Sequence, residues 1–194
     1  MTSDAPKSDS PLKSSRIIVG LTGGVACYKV AGVVSALVQG GAEVTVAMTD
    51  AATRFITPLT FQALSGRAVY TSQWDHIEAH DPQHIALARS ADLVLVAPCS
   101  MDMVAKLVIG RTDDVVSLII SAVDRRRQPV LLAPSMNAVM FEQASTQRNL
   151  KQLAQDGFRI IEPATGWQAC RTEGVGRLPE PEVLIGAVRQ WMSE

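Results

Sequence analysis

The sequence predicts an α/β fold built on an open, doubly wound parallel sheet, and three features carry that expectation. Short segments nearly continuous in apolar, often β-branched residues recur along the chain, as in "RIIVGLT", "DLVLVAP" and "PVLLAP". Strands of that kind are buried on both faces. Segments with helical apolar spacing separate them, the order that yields a parallel sheet covered by helices. Finally, "LTGG", "AMTD", "APCS" and "APSMN" each follow a strand, so their polar and glycine residues fall along one rim, where ligands of such folds bind.

The elements follow in order. Residues 1–15, with acids, prolines and serines in place of an apolar run, read as a disordered tail, and residues 16–194 as one domain. "RIIVGLT" is the first strand, and "VACYKVAGVVSALVQG" the first helix, stopping at Gly40–Gly41. "EVTVAMT" repeats the strand signal, "AATRFITPLTFQALSG" supplies helical pieces broken at Pro58, and "AVYTS" is a weaker strand. A polar stretch with Trp74 and His76 precedes the helical "HIALARSA" and the strand "DLVLVAPCS". "MDMVAKLVIG" and "TDDVVSLIISAV" are helical, and "QPVLLAPS" is the fifth strand. A helix near Thr146–Asp156, a strand in "FRIIEPA", a glycine-rich segment and a helix from about Pro181 complete the chain.

Composition narrows the function classes. A chain of 194 residues, 47% apolar and 19% charged, can bury one core without disulfide staples. Its net charge of −1 gives no general attraction to nucleic acid or a membrane surface. The basic run Arg125–Arg127 reads as a solvated turn. Cys27, Cys99 and Cys170 are widely spaced, with no CxxC pair, which implies neither a disulfide framework nor a metal site. No apolar run approaches the roughly eighteen residues of a membrane span, and no signal-peptide pattern opens the chain. A reducing cytoplasm is the expected location.

Several residues on the predicted rim could carry chemistry. Gly23 and Gly24 sit between the first strand and its helix, where backbone N–H groups can approach a phosphate at a positive helix end. The pattern is neither GxGxxG nor a P-loop, and a tight turn explains it as readily. Thr49, after the second strand, could add a hydroxyl or simply cap a helix. His84 begins a helix near the same rim and has the side-chain type suited to proton transfer near neutrality. Taken alone, a capping histidine is the more ordinary role. Cys170 lies in a segment where Gly166, Gly174 and Gly176 permit a loop folded over a site. In "APSMNAVMF", Asn137 can hold a carboxylate without bringing a competing charge. Met136 and Met140 would form soft apolar walls around a flat ring, or simply pack in the core.

"TGGVACYK", "HIALARSADLVLVAP", "AKLVIGRTDDVVS", "APSMNAVMF" and "ACRTEGVGRLPEP" together resemble the flavin-dependent cysteine decarboxylases, above all the branch acting on phosphopantothenoylcysteine in coenzyme A biosynthesis. The resemblance runs from about Ile17 to Pro181. It implies a Rossmann-like flavoprotein domain, a small-molecule substrate, FMN as cofactor, and a homo-oligomer, a trimer or a dodecamer of trimers, with FMN between subunits. The family's P-x-M-N motif falls on Pro134, Met136 and Asn137, its histidine on His84 and its reducing cysteine on Cys170, so these last three, Asn137 included, are the implied catalytic residues. Its FMN contacts fall on Gly23, Gly24, Val25, Thr49, Ser100, Met101, Asp102, Met103 and Ser135. Its substrate flap falls on Trp167, Gln168 and Ala169.

The implied chemistry has a physical logic. A saturated cysteine carboxylate has no place for the electron pair left when carbon dioxide departs, and oxidising the thiol to a thioaldehyde creates one. Decarboxylation then gives an enethiol that is reduced to product, with the cysteine as proton donor. The sequence departs from the family at Gly24, usually serine, at Met101–Asp102–Met103, usually Ala-Asn-Thr, at Phe141, usually tryptophan, and at Arg171, usually glycine. An ionised Asp102 cannot donate a hydrogen bond and would repel a phosphate. Two other readings share parts of the pattern: a decarboxylase of peptidyl cysteine, and a non-catalytic relative that regulates a protein partner.

Overall fold

In the computed structural model, which describes residues 11–74 and 82–193, a six-stranded parallel sheet positions everything else. In chain order the elements are β1 (Arg16–Leu21), α1 (Cys27–Gln39), β2 (Glu43–Met48), α2 (Asp50–Thr53), α3 (Pro58–Ser65), β3 (Val69–Tyr70), α4 (Gln83–Ser90), β4 (Leu93–Cys99), α5 (Met101–Ile109), α6 (Val115–Ser121), β5 (Val130–Pro134), α7 (Ala138–Glu142), α8 (Ala144–Gln155), β6 (Arg159–Ile160), β7 (Ala164–Trp167), β8 (Glu173–Arg177) and α9 (Pro181–Met192). Strand order is β3-β2-β1-β4-β5-β6, with β7 and β8 forming a separate antiparallel hairpin. The chain winds outward from β1 to β3, returns beside β1 as β4, and winds out the other way. The switch point therefore lies between β1 and β4.

Period-two alternation explains why the strands read as continuous apolar runs. In β1, Ile17, Val19 and Leu21 enter one core and Ile18 the other; in β4, Leu93, Leu95 and Ala97 oppose Val94 and Val96; in β5, Leu131 and Ala133 oppose Val130 and Leu132. The first core is closed by α1, α3 and α9 through Val30, Val34, Phe61, Leu184 and Val188. The second is closed by α4, α5, α6 and α8 through Ala88, Met103, Ile119 and Leu153. Burying a side chain of this size contributes about 1.5–3 kcal/mol, so alternation into two cores fixes the register strongly.

Four details differ from the sequence reading. Residues 11–15 are not a tail: Leu12 is fully buried against α1, and the Ser14 N–H donates to the Gly41 carbonyl at 3.0 Å. Residues 1–10 and His76 lie outside the described residues. The third and sixth strands shorten to two residues each, since edge strands have only one neighbour to pair with. The glycine-rich segment is the β7–β8 hairpin, and a short helix, α7, follows directly on Asn137. Among the described residues, no helix is long and apolar enough to cross a membrane.

Candidate functional site

The carboxyl ends of β1 and β4 are stitched together by one buried hydroxyl, and a backbone bond ties the loop after β5 to them. Thr22 is 1% exposed; its Oγ1 donates to the Pro98 carbonyl at 2.7 Å and accepts from the Ser100 N–H at 2.8 Å. The Ser135 N–H donates to the Cys99 carbonyl at 3.0 Å, which aligns the loop after β5 with the start of α5. Ser100 caps α5, its hydroxyl accepting from the Met103 N–H at 3.2 Å. Between β1 and α1 the chain packs so tightly that a Cβ on Gly23 would sit 2.7 Å from the Ala51 Cβ. Among the described residues the backbone N–H groups of Gly23, Gly24, Val25 and Ala26 have no acceptor, and they precede the positive end of a thirteen-residue helix.

These residues line one side of a cavity of about 550 Å³, a size suited to a cofactor or drug-sized ligand. Gly23, Gly24, Val25, Ser100, Met101 and Ser135 border it, as do Asn137, Trp167, Gln168, Ala169 and Cys170. The far wall is the hairpin. Gly176 has φ +113°, and a Cβ there would lie 2.5 Å from the Met136 carbonyl oxygen, so only glycine lets β8 reach the loop after β5. That close approach carries a hydrogen bond from the Met136 N–H to the Gly176 carbonyl at 2.9 Å.

Asn137 is held with a definite polarity. It is the N-cap of α7, and its Oδ1 accepts from the Met140 N–H at 2.8 Å. Committing the oxygen to the helix leaves Nδ2, which has no acceptor among the described residues, free to donate to a ligand in the cavity. The three cysteines separate by burial. Desolvation pushes the Cys27 thiol up to about 11, against the lowering effect of backbone hydrogen bonds, and complete burial raises that of Cys99 further. Cys170 is exposed, with its Sγ 3.0 Å from the Thr172 Oγ1. At the cavity's charged end, Lys29 and Arg177 both pair with Glu180. Chiefly the Lys29 hydrogen bond holds the Glu180 carboxyl below its ordinary range.

Four of the residues singled out from sequence lie elsewhere. Thr49 caps α2, its Oγ1 accepting from the Ala52 N–H at 3.2 Å, and does not border the cavity. Met103 is 1% exposed within the second core. Asp102 turns outward on α5 and pairs with Lys106 at 3.3 Å. Burial disfavours the Lys106 ammonium, but hydrogen bonds to Asp114, Asp113 and Asp102 hold its pKa well above the ordinary value. His84, on α4, borders a separate small recess with Tyr70, Leu118 and Ile119; the protomer does not bring it to Asn137 and Cys170. Thr22 and Lys29 were not singled out from sequence. Nothing in their spacing marks a hydroxyl that joins two strand ends or a lysine at the mouth of a cavity.

Comparison with known proteins gives consistent findings. A family model described as Flavoprotein matches residues 6–193. The coenzyme A biosynthesis bifunctional protein CoaBC of Haemophilus influenzae is 42% identical over 183 residues, covering 94% of this chain and 45% of that protein. The chain thus spans about half the length of the curated relatives it matches. A solved structure of a PPC decarboxylase variant complexed with pantothenoylaminoethenethiol aligns with TM-score 0.85 at 27% identity, covering 94% of this chain and 100% of that one. The FMN-dependent cysteine decarboxylase SpaF aligns with TM-score 0.79 at 27% identity, covering 94% and 97%.

Proposed function

The chain belongs to the flavoprotein family, and from that premise we propose that it decarboxylates 4'-phospho-N-pantothenoylcysteine to 4'-phosphopantetheine with FMN as cofactor. The observation that carries the reading is that the free Asn137 amide donors and the exposed Cys170 thiol border one cavity with the unpaired N–H groups of Gly23–Val25. The residues present fit FMN. Unpaired N–H groups before α1, with the Ser100 hydroxyl nearby, suit its phosphate, and Met101, Met136 and Met140 offer soft walls to a flat ring. When bound, FMN supplies a reversible two-electron sink.

The protein's own groups do the rest. Asn137 Nδ2 donates to the substrate carboxylate and orients it without the stronger hold of an arginine, so the departing group is not over-stabilised. Cys170 delivers a proton at the carbon vacated by carbon dioxide, and the hairpin carrying it shields the reacting carbons from water. Lys29 and Arg177 share one carboxylate, which leaves net positive charge at one end of the cavity, suited to an anionic tail.

His84 reaches the site in this reading from a neighbouring copy, in a homotrimer or a dodecamer of trimers. Its separation from the cavity within one protomer supports that arrangement, as do Val25 and Tyr28, which border the cavity while 53% and 63% exposed. Three free cysteines suit a reducing cytoplasm. The test is mass spectrometry of the FMN-reconstituted protein incubated with phosphopantothenoylcysteine. Loss of carbon dioxide with no net redox change is the expected result; unchanged substrate, alongside turnover of a peptide ending in cysteine, overturns it.

A further inference from the structure

One side chain fastens the hairpin tip to the rim. Gln168 follows β7 and is 7% exposed, although the residues on either side of the turn are open to solvent. Its Oε1 accepts from the Ala138 N–H at 3.1 Å; its Nε2 donates to the Val175 carbonyl at 2.9 Å and to the Met136 carbonyl at 3.5 Å. Those partners belong to the first turn of α7, to β8 and to the loop after β5. The amide is committed to protein groups on both sides and has little capacity left for a ligand.

The same residue reaches both functional groups. The helix whose first N–H it accepts is the one capped by Asn137. The Cys170 thiol donates toward the same Oε1 at 3.6 Å. The turn between them is closed by backbone bonds from the Gln168 N–H to the Thr172 carbonyl, 2.8 Å, and from the Arg171 N–H to the Gln168 carbonyl, 2.9 Å. We propose that Gln168 is a positioning residue, a latch whose side-chain amide sets the thiol of Cys170 relative to the amide of Asn137 and does not itself bind substrate. Its consequence for turnover rests on the decarboxylase reading; its mechanical part does not.

The test compares Gln168→Leu and Gln168→Glu with the wild-type chain, all reconstituted with FMN. Iodoacetamide labelling of Cys170 is timed by peptide mass spectrometry, with buried Cys27 and Cys99 as internal references, and hydrogen exchange is followed across the hairpin and α7. Gln168→Leu is expected to label Cys170 about tenfold faster, the equivalent of one or two lost net hydrogen bonds. Exchange should rise only in the hairpin and α7. Gln168→Glu keeps an acceptor for the Ala138 N–H, so exchange protection returns at α7 but not at β8. In turnover the leucine variant should release oxidised, decarboxylated intermediate with KM within about threefold of wild type, since the groups that touch substrate are retained.

Wild-type labelling and exchange in Gln168→Leu overturn the latch. Should that variant unfold, the glutamate variant decides: wild-type exchange at β8 overturns the proposal, and loss confined to β8 upholds it. Faster labelling and local exchange in a protein that leaves phosphopantothenoylcysteine untouched uphold the latch while the functional reading falls.

Discussion

The two walls of the cavity are built by different physics. The rim wall is made of strand ends buried on both sides and joined by Thr22, so its geometry is inherited from two apolar cores. The hairpin wall is a four-residue and a five-residue strand with mostly exposed or half-exposed positions, attached by a glycine contact and the Gln168 amide. A part held by packing is stiff, and a part held by a few polar bonds opens at much lower cost. The rim is therefore suited to hold a resident cofactor and the hairpin to admit and release substrate. Substitutions in the rim should register first in stability and cofactor content, and those in or beside the hairpin first in chemistry, with small effects on stability.

The largest effect should come from the hairpin. Cys170→Ala is expected to lower product formation by about 10²–10⁴-fold, the span of a proton-transfer group. Carbon dioxide release should proceed to about one equivalent per bound FMN, limited by the two electrons the flavin would take up, with the oxidised, decarboxylated intermediate as the product seen. Stability should stay within about 0.5 kcal/mol, because the side chain is exposed. Full product formation by this variant, measured by mass spectrometry, removes Cys170 from the chemistry.

Next comes Asn137, where the walls meet. Asn137→Asp keeps an oxygen for the Met140 N–H and caps as well as asparagine, so thermal stability should not change. It exchanges the free donors for a charge facing the substrate carboxylate, and kcat/KM should fall about 10²-fold or more. Asn137→Ala, by contrast, should also lose the cap, at about 1 kcal/mol. Equal melting temperatures for the two variants would show that the cap does not hold the amide.

Thr22→Val tests the rim. It is close in shape but leaves the Ser100 N–H without its acceptor and the Pro98 carbonyl short of a donor, at an expected cost of about 1–3 kcal/mol. Flavin content, read by absorbance of the purified protein, should fall with it. Preserved stability and full flavin loading would mean that packing and backbone bonds hold the strand ends without the hydroxyl.

The same contrast explains what could be read from the sequence. The sheet was legible because every strand feeding two cores must alternate, and the four strand-end turns then had to fall on one side. Whereas the choice of Ser100 and Ser135 came from the family resemblance, the rim glycines and the turns that hold those two serines followed from that placement. Met103 and Asp102 did not, because adjacent positions at a helix start point into the core, the cavity or solvent by an angle that a motif does not record; Met101 borders the cavity, Asp102 turns out to Lys106, and Met103 turns in. Thr49 read as a ligand or a cap and sits as a cap. The hairpin stayed hidden because five residues of turn and scattered glycines look like loop, and its attachment depends on a glutamine whose partners are 30 and 7 residues away.

Arg171 offers the smallest effect and the sharpest use of the contrast. It occupies the turn beside Cys170 with φ +65°, a left-handed conformation that costs a residue with a Cβ about 1–2 kcal/mol relative to glycine. Glycine in turn loses about 0.5–1 kcal/mol through the greater freedom of the unfolded chain. The difference predicts that Arg171→Gly stabilises the protein by about 0.5 kcal/mol, a rise of one or two degrees in melting temperature for a chain of this size. The backbone bond from its N–H to the Gln168 carbonyl survives the change. Its guanidinium has no partner among the described residues, so no side-chain contact within the protomer opposes that gain. A fall of 1 kcal/mol or more would instead place the guanidinium against a second copy of the chain. In that case the hairpin is held by the assembly as well as by its latch, and the low-cost opening inferred for this wall belongs to the isolated protomer alone.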